Sequence, residues 1–222
     1  MNLKETKALM AEYNIRPTHS LGQNFLVDET VVQRICELAE ITAKDRILEI
    51  GPGLGHLTIA LASRAAAVTT IEIDRHILPA LQASLQSYPS VHLIHADALQ
   101  VDFQAALSDS AAPSPAVAPT APEHLKVVAN LPYYVTTELL LKLMLEVPQC
   151  SGLWLMMQKE AADRIAAPPG TREYSPVGVI ARCLGSLKRA LLVGRGSFYP
   201  QPHVDSAVLQ LVLDPPEKRL IE

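Results

Sequence analysis

The 222-residue chain is long enough to bury one sizeable core, and 49% of its residues are hydrophobic. A formal net charge of −4 does not suggest a nucleic-acid-binding protein, although residues 151–200 hold seven Lys and Arg against three Asp and Glu. No apolar run approaches membrane-spanning length, no signal peptide is apparent, and the three cysteines lack metal-ligand spacing. We therefore expect a cytoplasmic, monomeric protein without a membrane or metal partner.

Apolar strands alternate with helices along most of the chain. Residues 3–13 predict a short helix, and Asp28 is a suitable N-cap for a second one. Strands are predicted at residues 46–50, before Asp74, and at 91–97, 125–131, 152–158, 188–194 and 206–213. Later helices are predicted at 137–147, 159–166 and 177–187, and the proline-rich residues 108–123 are expected to form a flexible surface loop. This alternation predicts an α/β fold with a mostly parallel, doubly wound, seven-stranded sheet.

A glycine-rich turn joins the first two strands of this pattern. Its glycines are Gly51, Gly53 and Gly55. Glycine lets the backbone turn tightly and brings N–H groups at a helix start close to a ligand, and Glu72 stands where a βαβ unit places the acid that holds a ribose. A dinucleotide fingerprint would need glycine where His56 stands. The turn, preceded by the acidic Glu49, instead resembles the S-adenosylmethionine (SAM) loop of Rossmann-like methyltransferases; an ordinary glycine turn is the alternative interpretation.

A second motif, at the end of the fourth strand, consists of Asn130, Leu131, Pro132 and Tyr133. The Asn130 side-chain oxygen and the Leu131 carbonyl can accept both N–H bonds of an exocyclic amine and direct its lone pair toward an incoming methyl group. Pro132 keeps the turn rigid, and Tyr133 offers a flat face on which a purine can stack. The alternative is a strand that ends in an ordinary Asn-x-Pro turn.

The candidate residues at the strand ends should lie together. In an open α/β sheet, ligands bind at the carboxyl ends of the strands, near the point where the strand order reverses. Gly51, Glu72, Asp97 and Asn130 follow successive strands. We therefore expect these four residues to line one crevice.

Six motifs occur in the order typical of a known enzyme family. They are GQNFLVD (22–28), LEIGPGLGHLT (48–58), IEID (71–74), DAL (97–99), NLPYYVTTELL (130–140) and FYPQPHVDSAV (198–208). Over most of residues 15–213 the chain thereby resembles the KsgA/RsmA family of rRNA adenine N6,N6-dimethyltransferases. The resemblance implies a Rossmann-like SAM-dependent methyltransferase fold. It also implies dimethylation of two adjacent adenines in the small-subunit (16S) rRNA of immature 30S subunits during ribosome biogenesis.

The resemblance further implies roles for individual residues. SAM would be held by Asn24, Leu26, Gly51, Glu72 (ribose), Asp97 (adenine amine) and Asn130. The target adenine would be flipped out of its stack and sandwiched between Tyr133 and Phe198. The catalytic set would then be Asn130, Leu131, Tyr133 and Phe198.

The resemblance also implies how this chain is divided into segments. Residues 1–27 would be a helix and a segment that contacts cofactor and RNA, and residues 28–214 the catalytic domain. Residues 215–222 would be the start of a truncated C-terminal region, and most of the family's helical C-terminal domain would be lacking. The loop at 108–123 is longer than is usual in the family. An Erm-type methylase of 23S rRNA and a non-catalytic ribosome-assembly or transcription factor are the alternatives. The GPGLG and FYPQPHVDS segments favour the small-subunit enzyme, and the intact motifs disfavour the non-catalytic factor.

Overall fold

The computed structural model describes residues 1–18, 22–109, 124–132 and 136–220, which form an alternating series of strands and helices. The strands are β1 (Phe25–Leu26), β2 (Asp45–Ile50), β3 (Ala67–Glu72), β4 (Val91–His95), β5 (His124–Asn130), β6 (Gly152–Gln158), β7 (Gly185–Val193), β8 (Phe198–Tyr199) and β9 (Ser206–Leu213). The helices are α1 (Leu3–Glu12), α2 (Glu29–Leu38), α3 (His56–Ala62), α4 (Leu78–Leu85), α5 (Phe103–Asp109), α6 (Thr136–Glu146), α7 (Lys159–Ala166) and α8 (Pro176–Leu184).

Seven of the strands form one sheet in the order β4-β3-β2-β5-β6-β9-β7. The five strands from β4 to β6 are parallel, and β9 and β7 complete the sheet as antiparallel neighbours. Parallel strands covered on both faces are expected to be continuously apolar, and β6 is buried along nearly its whole length. The predicted mostly parallel, seven-stranded sheet is confirmed.

Alternating side chains of the sheet pack against helices on opposite faces. Leu48 of β2 belongs to a core cluster that contains Phe103 of α5 and Leu140 of α6. Its neighbour Ile47 belongs to the cluster on the other face, with Ile35 of α2. Because successive strand residues point to opposite sides, an apolar strand requires cover on both. This two-sided cover is the doubly wound arrangement that the sequence predicts.

The start of α2 agrees with the predicted cap. The Asp28 side chain accepts hydrogen bonds from the backbone N–H groups of Thr30 and Val31, at 3.0 and 3.3 Å. These N–H groups have no partner within the helix, so a short acceptor side chain stabilises the first turn.

Two predictions of secondary structure are wrong: the start of the loop at residue 108 and the end of the helix at residue 187. The helix α5 was not predicted, and its last two residues, 108 and 109, fall in the segment that we expected to be loop; the remainder of that loop lies outside the described residues. The predicted helix at 177–187 ends at Leu184, because Gly185 already pairs with β9. A Cβ on Gly185 would lie 2.1 Å from the Val212 carbonyl oxygen, so close backbone packing requires glycine here.

A second, two-stranded sheet fixes the N-terminal segment to a distant loop. Strands β1 and β8 pair antiparallel, with Phe25 opposite Tyr199 and Leu26 opposite Phe198. The Ser197 hydroxyl extends this connection by donating to the Asp28 carboxylate at 2.9 Å. Phe25 and Leu26 are therefore strand residues within the N-terminal segment.

Throughout the described part of the chain, every helix is too short or too polar to cross a bilayer.

Candidate cofactor and active site

The strand order reverses beside β2, which lies between β3 and β5. The connections from β2 and β5 leave the sheet in opposite directions there and open a crevice at the carboxyl ends of the strands. A cavity occupies this crevice, and its lining includes Asn24, Leu26, Gly51, Glu72, Asp97, Asn130 and Leu131. The expectation that residues after successive strands would converge on one site is met.

The glycine turn forms one wall of the cavity. Gly51 and Gly53 have φ angles of +69° and +59°, a region that residues with a Cβ rarely adopt. The Gly51 N–H donates to the Ile71 carbonyl at 2.9 Å, which ties the turn to β3. A Cβ on Gly53 would also lie 3.0 Å from the Phe25 ring, so glycine permits the N-terminal segment to pack on the turn.

Glu72 connects the end of β3 to the glycine turn. Its carboxylate is 5% exposed and accepts the N–H of Asp74 at 2.8 Å and that of Gly53 at 3.4 Å. Burial raises the pKa of Glu72 to about 7, although the two backbone N–H groups oppose this shift. A carboxylate offers about four lone-pair sites, so acceptor capacity remains for hydroxyls of a ligand.

Asp97 and Asn24 both line this cavity. Asp97 Oδ1 accepts the Leu99 N–H at 2.9 Å, which holds its carboxylate at the turn after β4. The Asn24 side-chain amide donates to the Gly22 carbonyl at 3.0 Å. Both polar side chains are thus oriented by their own neighbouring backbone before any ligand binds.

His56 occupies the position where a dinucleotide fingerprint has its third glycine, and its side chain makes a contact of its own. Its ring is buried, and Nδ1 lies 2.9 Å from the Leu26 carbonyl oxygen. Burial is the main cause of its lowered pKa. The imidazole therefore joins the start of α3 to β1 and makes the N-terminal segment part of the cavity wall.

The sequence motifs did not predict a role for Gln23, which lines the cavity, or for Asp74, its hydrogen-bond partner. The Gln23 amide donates to Asp74 Oδ2 at 2.7 Å, and the Gln23 carbonyl oxygen accepts the Thr18 N–H at 2.8 Å. Asp74 is itself buried and accepts the His76 N–H at 2.9 Å. Both residues lie within the quoted motifs GQNFLVD and IEID, and their pairing holds the N-terminal segment over the end of β3.

The Asn130 side chain reaches the cavity from the end of β5. Asn130 belongs to the cavity lining, and its Oδ1 is buried and makes no hydrogen bond to any described residue, so a strong acceptor is left unused. Leu131 is held to β6 by its N–H, which donates to the Met156 carbonyl at 2.9 Å. The Pro132 carbonyl accepts the Thr136 hydroxyl at 3.1 Å, which connects Pro132 to the first residue of α6.

Of the two predicted stacking residues, the structure describes only Phe198. Tyr133 lies outside the described residues. Phe198 is 3% exposed and packs in the core with Leu26, Trp154 and Val208, and it is absent from the described lining of the cavity. A stacking role for Phe198 therefore stays a prediction, and it requires the ring to leave this core position.

Comparison with known proteins places the chain in a family. The family described as ribosomal RNA adenine dimethylase matches residues 15–220, which is nearly the whole chain. The chain belongs to this family.

Across the described residues, no group of three or more His, Cys, Asp and Glu side chains is arranged to hold a metal ion.

Curated relatives match this dimethylase over nearly the whole length of its chain. A protein of Bacillus pumilus named ribosomal RNA small subunit methyltransferase A is 41% identical over 208 residues, which are 94% of this chain and 68% of the relative. A protein of the same name from Natranaerobius thermophilus is 42% identical and covers 95% of this chain and 72% of its own length.

Solved structures show the same fold. A dimethyladenosine transferase from Plasmodium falciparum superposes with a TM-score of 0.71 at 28% identity, covering 86% of this dimethylase and 63% of that chain. The 23S rRNA methyltransferase ErmE superposes with a TM-score of 0.72 at 31% identity, covering 90% and 72%. The Rossmann-like methyltransferase fold is thereby confirmed, and the chain is a SAM-dependent methyltransferase.

The donor and acceptor groups of the cavity fit SAM. Among the described residues, no arginine or lysine lines the cavity beside the glycine turn, as suits a nucleoside that carries no phosphate. The buried Glu72 carboxylate suits ribose hydroxyls, and the unused Asn130 oxygen suits an N–H donor. These features match an adenosine with a positively charged sulfur, which does not need a phosphate site.

A second buried carboxyl, that of Glu49, stands at the end of β2 before the glycine turn, and Glu49 also belongs to the cavity lining. It is 1% exposed and stands opposite Thr70 in the pairing of β2 with β3. Burial raises the pKa of Glu49 to about 7, while the nearby hydroxyls of Thr58 and Thr70 lower it by a smaller amount. Glu49 Oε2 and the two hydroxyl oxygens complete no well-aligned hydrogen bond with described groups. Glu49 is therefore a costly group for the folded protein when it is ionised.

We expect Glu49→Gln to raise the stability of the ligand-free protein at pH 8. The carboxyl titrates near 4.5 in the unfolded chain and near 7 in the fold, so its ionisation costs the folded state up to about 3 kcal/mol above pH 7. The cost grows as the pH rises from 4.5 to 7. Calorimetry should thus show similar melting at pH 5 and a gain of about 2–10 °C at pH 8. Lower stability at pH 8 would mean that the carboxylate makes a stabilising contact.

Proposed function

We propose that this enzyme transfers methyl groups from SAM to the N6 amines of two adjacent adenines in small-subunit (16S) rRNA during ribosome biogenesis. The observation that carries the proposal is the position of Asn130. Asn130 lines the same cavity as Glu72 and Asp97, and its side-chain oxygen is buried and makes no hydrogen bond to a described residue. An amine acceptor and a nucleoside site therefore share one crevice, as transfer between a nucleoside cofactor and a base requires.

The chain's own residues would hold the cofactor at several points. Glu72 would accept the ribose hydroxyls, Asp97 the adenine amine, and Gly51 would permit close approach of the backbone. Asn24, Leu26 and Asn130 would complete the contacts from the N-terminal segment and the end of β5. When bound, SAM supplies an electrophilic methyl group on its sulfonium sulfur.

The base would be oriented by the motif after β5. Its amine shares the nitrogen lone pair with the ring and is therefore a poor nucleophile. The Asn130 oxygen and the Leu131 carbonyl would accept its two N–H bonds and aim the lone pair at the methyl group. No side chain is assigned as a general base, because the methylated amine is acidic enough to lose its proton to water. Tyr133 and Phe198 would hold the flipped base by stacking.

The basic segment after β6 is the proposed contact with the RNA. Lys159 and Arg189 both pair with Asp163, and Arg182 donates to backbone carbonyls of Ala166 and Gly178. Exposed positive charge on this segment is left to Arg164, Arg172, Lys188 and Arg195. We propose that these four side chains contact phosphates of an immature 30S subunit, and that the enzyme acts as a cytoplasmic monomer.

An Erm-type activity on 23S rRNA is the second candidate, and the similarity to ErmE supports it. One experiment separates the two. The purified protein is incubated with SAM and with either small or large subunits that lack dimethyladenosine, and the rRNA nucleosides are then measured by mass spectrometry. We expect N6,N6-dimethyladenosine in 16S rRNA alone. Product in 23S rRNA alone would establish the Erm-type activity, and no product in either would overturn the proposed substrate.

Substitutions of Tyr133 test the stacking role. Tyr133→Phe should leave turnover nearly unchanged because stacking needs the ring, whereas Tyr133→Ala should remove about 1–3 kcal/mol of base binding. Methylation of subunits over a range of RNA concentrations measures this difference. Equal losses for Phe and Ala would assign the role to the hydroxyl. For Phe198 the informative variant is Phe198→Leu, because alanine at this buried position would destabilise the fold by about 3–5 kcal/mol.

A further inference from the structure

Helix α1 forms a wall of the cofactor cavity. Met1 and Thr6 are among the residues that line it. The helix is held there by an apolar cluster in which Met10 packs with Leu54 and Ile77. Leu54 belongs to the glycine turn, and Ile77 follows the end of β3. These are the two segments on either side of Glu72, so α1 covers the ribose end of the cavity.

Thr6 has a hydroxyl that the fold does not use. The side chain is 1% exposed, and its Oγ1 makes no hydrogen bond to any described residue. A threonine inside a helix usually returns its hydroxyl to the carbonyl three or four residues earlier. Here the Asn2 carbonyl accepts the Thr6 backbone N–H at 2.9 Å, while the hydroxyl stays unpaired. Burying an unpaired hydroxyl destabilises a protein, so valine would serve the fold equally well or better.

Several other polar groups at the start of α1 have partners. The Asn2 side chain accepts the N–H groups of Lys4 and Glu5 at 2.9 and 3.1 Å, and the Glu5 carboxylate accepts the Asn2 N–H at 2.9 Å. Lys7 lies over the Tyr199 ring, 4.8 Å from its centre. The helix is thus anchored at its start and through Lys7, and the unpaired Thr6 hydroxyl is a local exception on a residue that lines the cavity.

We propose that Thr6 is a cofactor-binding residue whose hydroxyl hydrogen-bonds the ribose of SAM. A ribose hydroxyl is both donor and acceptor, and the Glu72 carboxylate can only accept from it. A threonine hydroxyl can donate to or accept from the same group, so it complements the carboxylate. The proposal rests on SAM as the cofactor and is independent of the RNA substrate.

Calorimetric titration of the RNA-free protein tests the proposal. Thr6→Val keeps the shape of the side chain and removes the hydroxyl, and Thr6→Ser keeps the hydroxyl. The ligands are SAM and 5′-methylthioadenosine, which has the ribose but not the methionine. We expect Thr6→Val to weaken both ligands equally, by about threefold to tenfold, and Thr6→Ser to stay within about twofold of wild type. Thr30→Val, at an exposed threonine of α2, is the matched control and should bind both ligands normally.

Thermal unfolding of the ligand-free variants supplies the second measurement. We expect the melting temperature of Thr6→Val to equal or exceed that of wild type, because an unpaired buried hydroxyl has been removed. Normal SAM affinity in Thr6→Val would overturn the proposal, and so would a lowered melting temperature, which would make the hydroxyl structural. Weakening of SAM but not of methylthioadenosine would place the contact outside the ribose and also overturn it. Failure of the wild type to bind either ligand would instead contradict the assignment of the cofactor.

Discussion

Asn130→Ala is expected to reduce the rate of methyl transfer by about 10²–10³-fold, a loss comparable to removing one preorganised hydrogen-bonding group from an active site. The side-chain oxygen is buried and has no partner among described residues, so its removal should not destabilise the ligand-free protein. Its proposed partner is the target amine, whose alignment matters most in the transition state. The loss should therefore be seen in kcat, whereas SAM affinity should weaken by less than about tenfold.

Single-turnover methylation of small subunits, together with calorimetric SAM titration, checks this expectation. Asn130→Asp is the matched variant, because it keeps an acceptor oxygen of the same reach and removes the amide N–H donor. Partial activity in the aspartate variant and almost none in the alanine variant would show that the acceptor is the functional group. Near-normal kcat in Asn130→Ala would contradict the amine-orienting role and the mechanism that depends on it.

Glu72→Ala should weaken SAM binding by about 10–150-fold, since hydrogen bonds to a charged acceptor contribute about 1.5–3 kcal/mol. The same carboxylate accepts the N–H groups of Gly53 and Asp74. Its loss should therefore also loosen the glycine turn, and thermal unfolding of the ligand-free variant measures this contribution separately. Unchanged SAM affinity would move the ribose contact to another residue.

The pKa of Glu72, raised to about 7 by burial, adds a pH dependence to this prediction. The ionised carboxylate is the better acceptor, so SAM affinity should be constant above pH 8 and should fall by up to about tenfold per pH unit below pH 7. Glu72→Gln should bind weakly at every pH and lose this slope. Glu49→Gln should keep it, because the carboxyl that contacts the ribose is still present. A slope that survives in Glu72→Gln would assign the titration to another group.

Much of the site was predictable because its residues are set by local geometry. A glycine turn after a buried strand, an acid at the end of the next strand and Asn-Leu-Pro at the end of a third are each local patterns. Parallel strands align their carboxyl ends, so Gly51, Glu72, Asp97 and Asn130 had to meet once the sheet was assigned. The regular alternation of apolar strands and helices made that assignment possible.

Contacts between residues far apart in the chain could not be predicted in this way. The ring of His56 binds the Leu26 carbonyl, and Gln23 binds Asp74, and both contacts depend on the path of the N-terminal segment over the sheet. The pairing of β1 with β8 is equally non-local, and strands of two residues leave no periodicity in a sequence. Phe198 belongs to this pairing and is buried, whereas the family resemblance implied that its ring stacks on the target base.

The sequence by itself therefore determined the fold class, the family and the residues at the strand ends, because each depends on patterns that repeat along the chain or on short motifs. Tertiary structure alone decided which groups are buried and which are left without partners. Burial places the carboxyls of Glu49 and Glu72 near neutral pKa values, and it leaves the hydroxyl of Thr6, a residue of the cavity lining, without a partner among the described groups. Desolvation and hydrogen-bond pairing are properties of packed surroundings, and those surroundings come from segments that are distant in the sequence.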